Sequence, residues 1–545
     1  MISLRHAASP LLVSVIAGCA GAQAASDPVA MSAVSAAAPT LIVMITVDQL
    51  RPDYFNRWGK QLTGGLARLY QHGAFYGNAY QDHAITETAP GHSVILAGRY
   101  PRSTGIFANI YGVNTDSAPL IGSRGIGASP FRFKGTTLID WLVAKDSRTR
   151  VLSVSRKDRG AILPIGKSKQ PVFWFSPEGS FTTSRYYADT LPAWVNAFNA
   201  RGMPRRAAGR AWELLLPASE YAEVDSVPWE NGHTRDIVFP HFGPADSATA
   251  AMAYGNFPWM DELTLDFALE GMRVMNLGRG PQTDILNISL STLDAVGHRY
   301  GPDSREVHDM LLRIDRYLGA FFQALYAERD SATIVIALTS DHGVNPYPEI
   351  VSRHDRNRGA GRVAIMDVVA VAMEALSTSR VDTSALRWAE GMLFVDRSAL
   401  ESAKLQPDVV AGRMAAAIAK IPGVGRADTW KTLMRADTVH EAVPRRWLHM
   451  VPPTYPVDVF VSLRPFWDWE GGPPIANHGS PNDYDARVPV IFYGPWIKAG
   501  QHPEMVRVVD IAPTLAAVAG VRPSEALDGK VLSGALLRPA PGKVR

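Results

Sequence analysis

Two stretches decide the fold: Ile285-Leu-Asn-Ile-Ser-Leu290, with Asp294-Ala-Val-Gly-His298 just beyond it, and Thr333-Ile-Val-Ile-Ala-Leu338, with Asp341-His342 just beyond. Both apolar runs have the length and the β-branched content of strands buried on both faces. Between them, Arg305 to Ala327 carries Val307, Leu311, Ile314, Leu318, Phe321 and Leu325 at helical spacing. Strand, helix and strand imply a parallel pair, with functional residues on loops at the carboxyl ends of the strands. Working outward, the runs at 41–47, 151–155 and 488–493 read as further strands. The expected architecture is α/β, a doubly wound, mostly parallel sheet with helices on both faces.

Each pair joins a carboxylate to an imidazole at a strand exit, where both can converge on one side of a turn. That chemistry suits Zn²⁺ or a similar borderline cation. Two such pairs suggest two metals, a common device for phosphoryl transfer. Either pair alone fits a solvated loop equally well. Further candidates add weight: Asp48 ends Leu41-Ile-Val-Met-Ile-Thr-Val47, Thr88 lies in Thr86-Glu-Thr-Ala-Pro-Gly-His92, and His478 lies in Asn477-His-Gly-Ser480. A lone Asp after a strand is usually a helix N-cap, and a lone His usually a surface residue. Several such residues at strand exits fit one catalytic edge better.

The chain has 545 residues, 46% of them hydrophobic and 20% charged, enough for a large core and one or two domains. A net charge of +3, without a long basic run, gives no argument for a nucleic-acid partner. Residues 1–24 read as an export signal: Arg5 and His6 precede an apolar stretch from Leu11 to Ala20, and Ala22-Gln23-Ala24 forms a cleavage site. Ile16-Ala-Gly-Cys19 also fits a lipoprotein signal ending before Cys19, so a membrane contact would come only through lipidation there. The protein is expected to be periplasmic or secreted. Cys19 is the only cysteine, so the mature chain has no thiol for a disulfide.

Residues 25–39 read as a flexible lead-in, 40–535 as one catalytic domain and 536–545 as a tail. Insertions are expected at about 170–255, rich in Trp, Tyr, Pro and Gly, and at 375–470, an α+β excursion with a short strand at Val457 to Ser462. The tract Ser352 to Arg358 reads as a mobile, solvated loop. His83, His92, His233, His241 and His354 read as packing, capping or surface residues, with His92 bracing the Thr88 turn. Phe173-Trp-Phe175 reads as core or cap. Gly122 to Gly127 has no preceding strand and carries little weight as a nucleotide loop.

Thr88-Ala-Pro-Gly-His92, followed by Gly98-Arg-Tyr-Pro-Arg-Ser-Thr-Gly105 and Asn109, resembles the alkaline phosphatase superfamily, in particular its type I phosphodiesterase/nucleotide pyrophosphatase branch. The closing Val509-Asp-Ile-Ala-Pro-Thr-Leu515 and Leu527-Asp-Gly529 resemble that branch's C-terminal signature. The resemblance implies that Thr88 is the nucleophile and that Asn109 binds a phosphoryl oxygen. It implies further that Asp48, Asp294, His298, Asp341, His342 and His478 are the six other zinc ligands. Ser155-Arg-Lys-Asp-Arg-Gly160 resembles the segment by which PafA-type bacterial alkaline phosphatases place Lys and Arg on the substrate phosphate. Lys157 and Arg159 are two apart and would point the same way from an extended segment. A point charge beside a bidentate fork suits a phosphate monoester dianion better than a diester. The bland alternative is a surface Lys-Asp-Arg turn.

The expected mechanism uses two zinc ions, one held by Asp48, Asp341, His342 and Thr88, the other by Asp294, His298 and His478. Ligand type also admits manganese, cobalt or an additional Ca²⁺. The leading expectation is an exported, zinc-dependent phosphomonoesterase acting on small-molecule phosphate monoesters through a phosphothreonine. A phosphodiesterase or nucleotide pyrophosphatase on the same scaffold is the alternative enzyme. A noncatalytic, surface-anchored binding protein is the alternative from another class.

Overall fold

Leu41–Val47 forms strand β1, and all seven of its residues are buried. Leu41, Val43, Ile45 and Val47 join one apolar core, and Ile42 and Met44 join another. Alternate side chains leave opposite faces of a strand, so two cores on one strand mean that helices cover both faces of the sheet. The computed structural model describes residues 37–230, 236–355, 359–379, 381–470 and 476–537. The export-signal and Cys19 readings, most of the lead-in, His233 and the tail beyond 537 lie outside the described residues.

The other strands of this sheet are β2 (Ala74–Tyr80), β3 (Val151–Ser155), β4 (Val172–Phe175), β5 (Phe181–Thr182), β6 (Asp284–Leu290), β7 (Ile334–Thr339), β8 (Arg487–Tyr493), β9 (Gly500–His502) and β10 (Val506–Arg507). Their order is β9-β2-β8-β7-β1-β6-β3-β4-β5, with β10 also on β2. The centre, β7-β1-β6-β3-β4, is parallel throughout. Only β8 and β5 run against the rest. The Arg305–Glu328 helix is N-capped by Ser304, whose side chain accepts from the Val307 N–H, and supplies much of the first core. The Thr88–Ile95, Leu138–Lys145 and Ile511–Ala519 helices line the second.

The 170–255 excursion begins inside the sheet, because Val172–Phe175 is itself a buried strand: Phe173 enters one core and Trp174 the other. Beyond β5 the chain lies on the first face, where the Asp309 carboxylate accepts from Trp212 Nε1, the Leu215 N–H and the Tyr221 hydroxyl. Around 375–470 the chain builds a separate four-stranded antiparallel sheet, ordered Leu386–Ala389, Met392–Val395, Val459–Leu463, Val424–Asp428. The Ile365–Ser377 and Pro407–Ile418 helices pack on it. Buried Asp82, just after β2, fastens this layer to the main sheet by pairing with Arg445, Arg446 and Arg507. Burial opposes its charge, but the hydrogen bonds of His449, Arg445 and Arg507 outweigh that and hold the carboxyl far below the usual range. Ser352 to His354 close the Pro348–His354 helix instead of forming a loop, and residues 356–358 lie outside the described residues.

Candidate active site

The strands of the parallel centre end at one edge, and there the chain turns polar. Asp48 follows β1 directly, Asp294 and His298 lie one turn apart on the Thr292–Tyr300 helix after β6, and Asp341-His342 follows β7. Thr88 follows β2 through a short loop and opens the Thr88–Ile95 helix, whose N-terminus carries partial positive charge. His478 arrives by another route. It precedes β8, which is antiparallel to β7, so the start of β8 lies beside the end of β7.

All three histidines share one arrangement. Nδ1 faces a backbone carbonyl, of Gly343 for His342 (3.0 Å), Ala476 for His298 (2.7 Å) and Thr86 for His478 (2.8 Å). Each ring thereby presents Nε2 inward, as metal-ligating histidines do. The inward atoms cluster: His298 Nε2 lies 3.2 Å from Asp294 Oδ1, His478 Nε2 3.6 Å from it, and His342 Nε2 3.4 Å from Asp48 Oδ1 and 3.5 Å from Asp341 Oδ2. Two groups have spacing fit for an ion: Asp294, His298 and His478, and Asp48, Asp294 and His342. Asp294 thus faces both groups, whereas the sequence reading assigned it to one.

Buried Asp48 Oδ1 and His342 Nε2 make no hydrogen bond among the described residues. Burial, with Asp294 and Asp341 alongside, raises the Asp48 pKa. Burial pushes His342 down to about 3 and also lowers His478. At Asp294, Lys157 and His298 outweigh burial and hold the carboxyl low, and Asp294 in turn raises His298 against its own burial. Crowded carboxylates with inward imidazole nitrogens call for cations of borderline softness, so the residues present fit zinc-like ions.

Lys157 answers part of that demand: its ammonium lies 2.7 Å from Asp48 Oδ2, 2.7 Å from Asp294 Oδ2 and 3.2 Å from Thr88 Oγ1. The extended segment expected for Lys157 and Arg159 is absent. Lys157 is the N-cap of the Asp158–Ile162 helix, because its N–H turns back to Ser155 Oγ and Asp158 Oδ1 accepts from the Arg159 N–H. The Arg159 charge partly offsets the burial that raises the Glu87 carboxyl, and its buried Nε has no hydrogen bond among the described residues. Asn109 Oδ1 accepts from the Ala89 N–H at 2.9 Å, tying that amide to the helix opened by Thr88.

His92 braces the turn, with Nδ1 2.9 Å from the Thr88 carbonyl and 3.1 Å from Asp341 Oδ2, and Nε2 2.9 Å from Ser289 Oγ. His83 is buried against Gln81, and His241 lies between Asp236 and Glu306. Gly91 lets the helix approach the β7 exit: a Cβ there would stand 2.2 Å from the Asp341 carbonyl oxygen. Gly91→Ala should therefore lower stability by about 1–3 kcal/mol through overpacking and lower turnover by shifting Thr88. Thermal unfolding and steady-state rates check this, and wild-type values for both would refute the close-approach argument.

Sequence reading passed over three residues. Gln49, at φ +67°, donates from Nε2 to Asp294 Oδ1 (3.0 Å) and from its backbone N–H to Asp341 Oδ1 (3.2 Å). Its place directly after Asp48 was the only available signal. Glu87 accepts the Asn109 N–H at 2.6 Å, and burial together with Glu390 pushes it up to about 8. Nothing in the sequence links Glu390 to Glu87.

The model of the type I phosphodiesterase/nucleotide pyrophosphatase family matches residues 42–411. The chain belongs to this family. It is 30% identical to alkaline phosphatase PhoV of Synechococcus elongatus, over 92% of this chain and 93% of that one. It is 32% identical to alkaline phosphatase PhoK of a Sphingomonas species, over 92% of each. The crystal structure of wild-type alkaline phosphatase PafA superposes with a TM-score of 0.83 at 28% identity, covering 93% of this chain and 100% of that one. The fold is accordingly alkaline-phosphatase-like α/β, as the strand pattern implied.

Proposed function

We propose that this protein is an exported, zinc-dependent alkaline phosphatase that hydrolyses small-molecule phosphate monoesters through a phosphothreonine on Thr88. The observation carrying the reading is the Lys157 ammonium, which meets Asp48, Asp294 and the Thr88 hydroxyl at once. Relatives named alkaline phosphatases over nearly the whole chain support it.

Asp48, Asp341, His342 and Thr88 on one side, and Asp294, His298 and His478 on the other, would hold two zinc ions. When bound, zinc supplies Lewis acidity that lowers hydroxyl and water pKa values and takes up negative charge. Thr88 Oγ, at the helix N-terminus, attacks phosphorus as the alcohol oxygen departs; water then cleaves the phosphothreonine and releases phosphate. Asn109, Lys157 and Arg159 stabilise charge on the non-bridging oxygens. His92 and Gln49 hold the carboxylates in register.

Among the described residues, no helix is long and apolar enough to cross a membrane. Export, with or without a lipid at Cys19, rests on residues 1–24. A phosphodiesterase is favoured by the family description and by ectonucleotide pyrophosphatase/phosphodiesterase relatives that match only 11% of this chain.

The test compares p-nitrophenyl phosphate with bis-p-nitrophenyl phosphate on metal-analysed protein, before and after EDTA. The monoester is expected to give the higher kcat/KM, EDTA to abolish turnover, and zinc to restore it more fully than magnesium, which prefers all-oxygen octahedra. Preference for the diester would move the reading to a phosphodiesterase. Full activity in verified metal-free protein would overturn the two-metal mechanism.

A further inference from the structure

The strands Leu386–Ala389 and Met392–Val395 are joined by Glu390-Gly391 alone. Both turn residues have positive φ, 46° and 77°, as a two-residue hairpin requires. Asparagine, aspartate or glycine suits the first position; glutamate carries strain there that those residues would not. Strained positions that persist cluster at functional sites, and this one faces the candidate active site. Glu390 lines a cavity of about 230 Å³ together with Asn109, His298, His478, Trp469 and Asn477. Glu87, which accepts the Asn109 N–H, lines the same cavity, so two carboxyls stand in its wall. No arginine or lysine is among the described residues lining this cavity.

The cavity thus offers an acceptor-rich wall beside His298 and His478, with aromatic surface from Trp447 and Trp469. A carboxyl with no arginine or lysine among the described residues of its cavity gains most from a ligand that donates a hydrogen bond. We propose that Glu390 forms a leaving-group subsite, accepting a hydrogen bond from a second donor, hydroxyl or ammonium, on the alcohol portion of the ester. The subsite rests on the phosphatase reading and deepens it: small polyol and amino-alcohol monoesters become the preferred substrate class. The second sheet, whose Ser462 and Leu463 also line the cavity, then serves specificity by delivering Glu390.

The experiment measures kcat/KM of the metal-loaded wild type, Glu390→Gly and Glu390→Asn on glycerol 1-phosphate, phosphoethanolamine and propyl phosphate. Both substitutions suit the positive φ, so the hairpin is retained, and thermal unfolding verifies it. The ratio of a donor-bearing ester to propyl phosphate should fall roughly tenfold or more in both variants, the loss expected for a hydrogen bond to a charged group. The ester that falls further distinguishes a hydroxyl donor from an ammonium. Unchanged ratios, or an equal fall for all three esters, would overturn the subsite. Failure of the wild type to hydrolyse any of the three would overturn the phosphatase reading itself, and the subsite with it.

Discussion

Thr88→Ala is expected to lower turnover of a monoester by about three orders of magnitude or more, because it removes the attacking atom. The fold should survive. Thr88 Oγ1 makes its one described side-chain hydrogen bond with Lys157, and Lys157 keeps Asp48 and Asp294 after the change. Alanine is also at home in the first turn of a helix. Thermal unfolding should therefore shift little. Thr88→Ser keeps the hydroxyl and should retain measurable turnover, and trapped phosphate should appear on the wild type and the serine variant only. Wild-type turnover in Thr88→Ala would eliminate the nucleophile assignment, whatever the metals do.

The second large effect concerns the choice between monoesters and diesters. Lys157→Ala/Arg159→Ala should reduce monoester kcat/KM on the order of a hundredfold or more, since charge-assisted hydrogen bonds to an anion are worth roughly 1.5–3 kcal/mol each. Diester hydrolysis should fall much less, because a diester has one charge fewer to offer. Lys157 reaches Thr88 Oγ1, so its ammonium stands beside a phosphoryl group carried on that oxygen. Arg159 has a buried Nε without a hydrogen-bond partner among the described residues, a donor suited to an anion. Lys157 also neutralises Asp48 and Asp294, so metal content has to be measured in each variant. An equal loss for both substrates at unchanged metal content would make the pair a general electrostatic element and remove the preference for monoesters.

Much of the fold was legible because buried parallel strands leave largely apolar runs. Leu41–Val47, Asp284–Leu290 and Ile334–Thr339 are such runs, and the amphipathic stretch from Arg305 is one helix. The polar residue after each run marks the strand's end, so Asp48, Asp294 and Asp341 could be placed on one edge from local pattern alone. Direction was not legible for Arg487–Tyr493, since an apolar run reads the same in either sense. Only pairing with β2 and β7 makes it antiparallel and brings His478 to the edge from the opposite end.

Contacts set by tertiary packing were out of reach for a similar reason. The sequence pattern placed Lys157 and Arg159 on an extended segment, but their backbone N–H groups donate to Ser155 Oγ and Asp158 Oδ1 and turn it into a helix start. Asp294 faces both ligand groups because the β1, β6 and β7 exits are adjacent in space, which spacing along the chain does not encode. Glu390 meets Glu87 because a separate antiparallel sheet folds back over the site and is pinned there through Asp82. Residue type and local period thus determined which groups this protein can bring to chemistry. The distances among them depend on long-range pairing and burial, and those were decided by the tertiary structure alone.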